Sequence, residues 1–306
     1  MKKLDRRQFL QAGVSLLPLG AFASNYNYFK KQPLLSFSTL GCPDWEFEQI
    51  LDFAVKNEYQ GIELRGIKRQ VDLFQCPQFA DTAAVANSRK QFKERKLSIV
   101  DLGSSVALHH TGEAERRKNL DDGKRYIDLA HALNCPFVRV FPNNLPKDNT
   151  RDAVMQLIIS GLQQLGDYAK GSGVTVLMES HGEVVRTADI LRIMESAANP
   201  RVGMVWDITN MWTVTKEPPA TVYTQLKKYI RHTHIKDAKI DGNKISYVLL
   251  GQGATPIFEA IDLLRRDGYQ AYYSFEWEKL WHQEIAAPEI ALADFPVAMK
   301  KHFGTT

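Results

Sequence analysis

Residues 174–207 read VTVLMESHGEVVRTADILRIMESAANPRVGMVWD and contain the pattern that decides the fold. Two short β-rich runs, 174–179 and 203–207, flank a segment, 188–197, whose apolar residues recur at three- and four-residue spacings. Short apolar runs indicate buried strands, and the three- to four-residue period indicates an amphipathic helix. The stretch therefore predicts one strand–helix–strand unit.

The same alternation continues on both sides of this unit. The β-rich runs occupy residues 34–40, 61–64, 98–102, 137–141, 174–179, 203–207, 230–235 and 271–276. Helical periods occupy residues 46–55, 114–133, 153–170, 188–197, 222–229 and 257–266. Eight such repeats favour a closed parallel (β/α)₈ TIM barrel, an α/β fold, over an open doubly wound sheet. No strand is followed by G-x-G-x-x-G or G-x-x-x-x-G-K, which argues against a nucleotide-binding sheet.

One segment departs from the alternation. Between residues 236 and 253, Asp241, Gly242 and Asn243 separate two short β-like runs. This turn chemistry predicts a hairpin inserted above the mouth of the barrel.

Length and charge restrict the class of protein. A chain of 306 residues, 44% hydrophobic and 24% charged, can bury one large core, and α/β barrels of this size form a single domain. Lys2, Lys3, Arg6 and Arg7 against Asp5 give the first 23 residues +3 of the formal net charge of +4. The nearly neutral remainder gives no electrostatic reason to expect nucleic acid or an acidic membrane surface as a partner.

The first 23 residues resemble a twin-arginine signal peptide. DRRQFL at 5–10 precedes a modestly apolar stretch that ends in AFA at 21–23. The alternative, a basic amphipathic first helix, leaves the helix-breaking residues Gly13, Pro18 and Gly20 unexplained. The stretch is too short to span a bilayer, and no later stretch approaches the roughly 20 apolar residues that a membrane helix needs.

These features predict three segments: a signal at 1–23, a tether at 24–33 and the barrel at 34–306. We therefore expect the twin-arginine export machinery as a partner and a soluble periplasmic or otherwise exported protein. Cys42, Cys76 and Cys135 show no C-x-x-C spacing, so neither a zinc ribbon nor a redox motif is indicated. We expect three small buried hydrophobes, with one disulfide as the alternative in an oxidising compartment.

Polar residues end four otherwise apolar runs. They are Glu179, Asp207, His234 and Glu276, at the ends of the last four predicted strands. Because the carboxyl ends of barrel strands form the active face, these four side chains can converge on one point. Three carboxylates and one imidazole suit Mn²⁺, Mg²⁺ or Co²⁺ with positions left open for substrate.

Each of these residues also has a plain structural reading. A lone carboxylate at a strand end is as often a helix N-cap as a functional group, and a lone histidine can be part of the core. Four together favour a single-metal site. His232 must point to the same face as His234, since strand side chains alternate, and we expect it one layer deeper.

Nine short motifs carry a specific resemblance. They are LGCPDW (40–45), GIELRG (61–66), LGSS (102–105), VRVF (138–141), MESHG (178–182), VWD (205–207), HTHIKD (232–237), LLGQG (249–253) and SFEWE (274–278). With these motifs, residues 34–303 resemble the sugar phosphate isomerase/epimerase family of xylose isomerase-like TIM barrels. The resemblance implies that Glu179, Asp207, His234 and Glu276 bind the metal, and that Glu179 and Glu276 also transfer protons.

One position departs from the family pattern. Several relatives carry a histidine three residues after the strand-six aspartate, where this chain has Asn210. Asparagine can donate to a substrate oxygen but is neither an imidazole base nor a good zinc ligand. The departure argues against a multi-zinc phosphodiesterase similar to the abasic-site endonucleases, and favours one metal.

Further polar residues are expected near the same rim, where they would bind sugar hydroxyls. They are Glu63, Arg65, His109, Arg139, His181, Asn210 and Lys236. The alternative is a salt-bridge network that closes the barrel, above all for Arg139 and Glu63. Trp206, Trp277 and Trp281 could stack on a sugar face, with core packing as the alternative.

The function expected from these residues is a metal-dependent sugar isomerase or epimerase acting through an enediolate. The cofactor would be one divalent metal ion, with Mn²⁺ favoured and Mg²⁺, Co²⁺ and Zn²⁺ as alternatives. Two other functions stay open: a metal-dependent lyase or deglycosidase acting on keto-glycosides, which export would favour, and a non-catalytic sugar-binding barrel. The sequence identifies neither the sugar nor the oligomeric state, and a homo-oligomer stays open.

Overall fold

The computed structural model describes residues 32–242 and 244–305. The predicted signal at 1–23 and most of the tether at 24–33 lie outside these ranges, so both stay predictions. Within the two ranges, no helix has the length and apolar character needed to cross a membrane.

Eight parallel strands close into a barrel, so the predicted TIM barrel is confirmed. In chain order the strands of the described residues are β1 (Leu35–Ser38), β2 (Gly61–Leu64), β3 (Ser98–Ala107), β4 (Phe137–Phe141), β5 (Thr175–Glu179), β6 (Val202–Asp207), β7 (Ile230–Ile235), β8 (Asp237–Asp241), β9 (Lys244–Val248) and β10 (Tyr273–Phe275). Around the barrel the order is β1-β10-β7-β6-β5-β4-β3-β2. The barrel closes where β1 pairs with β10, with Leu35 opposite Tyr273.

Helices pack around the barrel. They are α1 (Phe47–Lys56), α2 (Thr82–Glu94), α3 (Glu113–Leu133), α4 (Arg151–Tyr168), α5 (Thr187–Ala197), α6 (Ile208–Thr215), α7 (Pro219–Leu226), α8 (Ile257–Arg266) and α9 (Pro288–Phe303). The sequence did not predict α2, α6 or α9. The buried face of α2 is small, α6 is short, and α9 contains Pro296, which cannot donate a backbone hydrogen bond.

Alternation along the strands separates an apolar outer face from a polar interior. Phe37 packs on Phe53 of α1, and Trp206 stacks on Tyr223 of α7, so both point outward to the helices. Their neighbours in the strands therefore point into the barrel. The inward positions include the buried polar residues Ser36, Ser38, Glu63, Asp101, Arg139, Glu179, Asp207, His232, His234 and Ser274. The barrel thus has a polar interior surrounded by an apolar layer of strand and helix side chains.

The predicted hairpin is confirmed: β8 and β9 pair antiparallel, with Asp241 opposite Lys244. Asp237 anchors its base, because its carboxylate accepts from the backbone N–H groups of Ala238, Gly251, Gly253 and Thr255 at 2.8–3.2 Å. A Cβ at position 253 would lie 2.0 Å from Asp237 Oδ1, so only glycine allows this approach. The carboxylate fixes the returning chain to the end of β7.

The three cysteines are free thiols in the core, which confirms their prediction as buried hydrophobes. Trp206 and Trp277 are buried as well. Trp281, with 58% of its surface exposed, is the member of the predicted tryptophan set that a ligand could reach.

Candidate active site

Four buried side chains from neighbouring strands converge in the barrel. Glu179 ends β5, Asp207 ends β6, His234 lies in β7 and Glu276 follows β10; one ligand atom of each lies within 4.8 Å of those of the others. His234 Nδ1 is 3.3 Å from Glu276 Oε1, 3.4 Å from Glu179 Oε1 and 3.9 Å from Asp207 Oδ2. Adjacent ligands of a cation bound at about 2.1 Å are separated by roughly 3.0–3.4 Å. The spacing therefore has the scale of a coordination sphere.

Glu63 determines which nitrogen of His234 faces this group. Glu63 Oε2 lies 2.9 Å from His234 Nε2 and 3.1 Å from His232 Nε2. Burial works against ionisation of Glu63, but His234 and His232 outweigh it and lower the pKa of Glu63. Because a carboxylate only accepts hydrogen bonds, both Nε2 atoms carry the proton. His234 Nδ1 faces the three carboxylates. Burial works against a charged imidazole, but Glu276, Glu63 and Glu179 outweigh it and raise the pKa of His234 well above its usual range, so a bound cation would take the place of the Nδ1 proton.

Charge in the site also favours a divalent cation. The described groups around the centre include the carboxylates of Glu63, Glu179, Asp207, Glu276 and Glu278 and the cations of Arg65, Arg139 and Lys236. Burial and the nearby Glu63 raise the pKa of Asp101 well above its usual range, which favours the protonated form of this carboxyl group. Five carboxyl groups thus face three cationic side chains around His234, so acidic groups predominate in the site. The residues present therefore fit such an ion.

Two of the carboxylates share a distinctive arrangement. Glu179 turns Oε1 to His234 and Oε2 to Arg139 Nε, 3.1 Å away. Glu276 turns Oε1 to His234 and Oε2 to Lys236 Nζ, 2.6 Å away. Each thus lies between the imidazole and its own cation.

Arg139 and Lys236 are themselves fixed in place. Arg139 Nη1 donates to Ser104 O at 2.7 Å, and its guanidinium lies 3.8 Å from the centre of the Phe141 ring. Lys236 Nζ reaches two further carboxylates, Asp207 Oδ2 at 2.8 Å and Glu278 Oε1 at 2.6 Å. Both cations are therefore held in ion pairs with the acidic group.

Asp207 is both a helix N-cap and a candidate metal ligand. Its Oδ1 accepts from the backbone N–H of Asn210 at 2.8 Å and so caps α6, which leaves Oδ2 directed to the centre. The Asn210 side chain donates to Ser180 O at 3.3 Å. The helix cap fixes the rotamer of Asp207.

The other predicted residues lie at different depths. Glu63 is fully buried and so is enclosed by protein. Arg65 donates to Val71 O and to Ser105 Oγ. His181 and His109 are partly exposed. His181 Nδ1 lies 2.8 Å from Asn143 Oδ1, and the centre of the His109 ring lies 4.2 Å from that of the tilted His110 ring.

Three residues near the site were not predicted: Glu278, Asp101 and Tyr247, whose ring centre lies 5.6 Å from Lys236 Nζ. Period-two alternation offered a signal for Glu278, which is two residues after Glu276 in the motif SFEWE. Asp101 and Tyr247 follow no strand end in the predicted pattern, so nothing distinguished them.

Comparison with known proteins adds to the geometry. The sequence is 25% identical over 178 residues to fructoselysine 3-epimerase from Shigella flexneri, covering 56% of this chain and 63% of the epimerase, so it spans under two thirds of that relative. A crystal structure of the IolI protein with a bound zinc atom superposes with a TM-score of 0.73 at 17% identity, covering 88% of this chain and 98% of the other. For 3-keto-D-glucoside 4-epimerase from E. coli the TM-score is 0.68 at 15% identity, with 88% and 100% covered.

At these identities the two solved structures show a shared fold. The sequence pattern of the family described as xylose isomerase-like TIM barrel matches residues 51–294, which include β2 to β10 and the four converging side chains. The chain belongs to the xylose isomerase-like TIM barrel family.

Proposed function

We propose that this protein is a divalent-metal-dependent epimerase or isomerase of keto sugars that transfers a proton beside a carbonyl group. The proposal rests on the similar surroundings of Glu179 and Glu276. Each carboxylate has one oxygen near His234 and the other beside a cationic side chain, Arg139 or Lys236. Two such carboxylates supply a base and an acid for the same carbon framework.

Glu179, Asp207, His234 and Glu276 would hold the metal. When bound, a divalent cation supplies Lewis-acid stabilisation of the negative charge that develops on a carbonyl oxygen. The oxygen-rich ligand set favours Mn²⁺, and the zinc in the IolI crystal structure supports Zn²⁺ as an alternative.

The chemical problem is the removal of a weakly acidic hydrogen from carbon. Glu179 and Glu276 come from β5 and β10, which β6 and β7 separate, so they approach the substrate space from different sides. One removes a proton from carbon, and the other, after taking up a proton from water, delivers that proton to carbon. Return to the opposite face inverts a carbon, whereas return to a neighbouring carbon on the same face moves the carbonyl group.

Arg139 and Lys236 keep these carboxylates ionised. Burial would raise the pKa of Glu276, but His234 and Lys236 outweigh it and lower that pKa well below its usual range. An ionised carboxylate can accept a proton at neutral pH, yet a low pKa makes it a weak base. Substrate binding must therefore raise its basicity for the transfer.

Hydroxyl recognition falls to partly exposed groups of the predicted set. Burial lowers the pKa of His181, so its imidazole is neutral and can both donate and accept. We assign His181, His109 and Asn210 to sugar hydroxyls. Arg139 and Glu63, which are enclosed by protein, instead position Glu179 and His234.

The test is incubation of Mn²⁺-loaded protein in D₂O with a panel of ketoses and 3-keto-glycosides. The proposal expects deuterium on the carbon beside the carbonyl group, together with an epimer or an isomer, detected by NMR. Release of an aglycone would favour the keto-glycoside lyase. Binding without any exchange would contradict proton transfer and favour a sugar-binding barrel.

The Glu63→Gln variant tests whether Glu63 strengthens metal binding by positioning His234. Glu63 Oε2 holds both His232 and His234, so we expect the metal dissociation constant to rise about 10- to 100-fold, as for other outer-shell partners. Competition with a chromophoric chelator measures it. Glu94→Gln, at the exposed end of α2, is the matched control. An unchanged dissociation constant in a folded Glu63→Gln protein would remove this role.

A further inference from the structure

Lys236 is a buried lysine placed among acidic groups. With 1% of its side chain exposed, its Nζ lies 2.6 Å from Glu276 Oε2, 2.6 Å from Glu278 Oε1 and 2.8 Å from Asp207 Oδ2. An ammonium group has three N–H donors and no acceptor. It donates hydrogen bonds to Glu276 and Glu278 and makes an ion-pair contact with Asp207, so two of the three carboxylates that it contacts belong to the proposed metal ligands.

Lys236 and the proposed metal ion would compete for one oxygen, Oδ2 of Asp207. Asp207 Oδ1 is used by the backbone N–H of Asn210, so Oδ2 is the oxygen that Asp207 offers to the centre. That same atom is 2.8 Å from Lys236 Nζ and 3.9 Å from His234 Nδ1. Glu276, by contrast, divides its oxygens, with Oε1 toward His234 and Oε2 toward Lys236. Competition is therefore sharpest at Asp207.

We propose that Lys236 is a tethered competitor of the metal ion, an ammonium group that neutralises Asp207 until a divalent cation displaces it. The proposal rests on the proposed function, because it assumes the same four metal ligands.

The structure also provides the place to which the ammonium group would withdraw. Glu278 lies outside the four proposed ligands and already contacts Nζ at 2.6 Å. The face of Tyr247 lies 5.6 Å from Nζ, within the range of a cation–π contact. Lys236 can thus leave Asp207 and remain paired.

Two effects follow from the charges. A positive charge a few ångströms from the metal opposes its binding, so the lysine should raise the metal dissociation constant by about tenfold or more. In metal-stripped protein the same charge offsets repulsion among the buried carboxylates, so the lysine should also raise the melting temperature. The four proposed ligands should therefore bind metal more weakly with Lys236 present than without it.

The experiment compares wild type with Lys236→Met. For the variant we expect a dissociation constant for Mn²⁺ at least about tenfold lower, by chelator competition, and a stripped protein that melts several degrees lower. The control Lys90→Met, which removes an exposed lysine from α2, should change neither value. An unchanged or weaker affinity in folded Lys236→Met would overturn the proposal.

A second measurement tests the proposal even if Lys236→Met does not fold. In a crystal structure of Mn²⁺-loaded wild type, Lys236 Nζ should contact Glu278 and lie beyond hydrogen-bonding distance of Asp207 Oδ2. A contact retained with Asp207 beside bound metal would overturn the proposal and leave the proposed function intact. Failure of wild type to bind any divalent ion at the four residues would remove both.

Discussion

Glutamine in place of Glu276 or Glu179 is expected to lower the rate of deuterium exchange into the keto sugar by about 10²- to 10⁴-fold. The amide keeps an oxygen that can approach a metal, but it cannot accept the proton. It also removes the charge that pairs with Lys236 or Arg139. Both losses act on the transfer step, so turnover should fall far more than substrate binding.

The two variants should differ in a way that assigns their roles. The variant without the base should lose both exchange and product, whereas the variant without the acid should still exchange deuterium but form little product. Metal content of each protein must be confirmed first, and Glu259→Gln on the exposed side of α8 serves as the control. Full exchange activity in a metal-loaded Glu179→Gln and Glu276→Gln double variant would exclude these residues from the chemistry.

Removal of the His234 imidazole is expected to abolish stoichiometric metal binding. His234 Nδ1 is the nitrogen among the four proposed ligand atoms and lies within 3.9 Å of a carboxylate oxygen from each of the other three residues. The dissociation constant of His234→Ala should rise by more than the ~10- to 100-fold expected for an outer-shell partner. Saturating Mn²⁺ should then no longer raise the melting temperature, since a ligand stabilises only the state that it binds.

A matched control lies on the same strand. His232→Ala removes an equally buried imidazole that also contacts Glu63 but is not one of the four, so it should keep most of its metal affinity. Elemental analysis and melting curves with and without Mn²⁺ measure both variants. If wild type contains no divalent ion and Mn²⁺ does not raise its melting temperature, the four-residue site is wrong.

The barrel could be predicted from sequence because its strands are short apolar runs that repeat between helical periods. The helices that the sequence did not predict are those with a weak pattern of apolar residues or with an internal proline. The helix α2 buries only Val85, Ser88 and Phe92, and α9 continues through Pro296, where tertiary packing outweighs the local preference. Hydrophobic period alone could not identify these two helices.

The four converging residues could be predicted because each one lies at or next to the carboxyl end of a strand, and chain position then determines where the side chain lies. Depth and pairing could not be predicted in this way. Glu63 was expected near the rim, where it would bind sugar hydroxyls, but its carboxylate is fully buried and contacts Nε2 of both His232 and His234. Lys236 was expected to meet sugar hydroxyls, and the three contacts it makes instead depend on side-chain conformations that spacing does not encode.

The anchoring of the hairpin has a consequence for how its sequence could diversify. Asp237 holds the returning chain through main-chain N–H groups, which are present whatever the side chains are, apart from the requirement for glycine at 253. The tip of β8 and β9 can therefore accumulate substitutions while the four converging residues keep their positions. An experimenter who wishes to vary this hairpin should randomise its tip first and leave Asp237 and Gly253 unchanged.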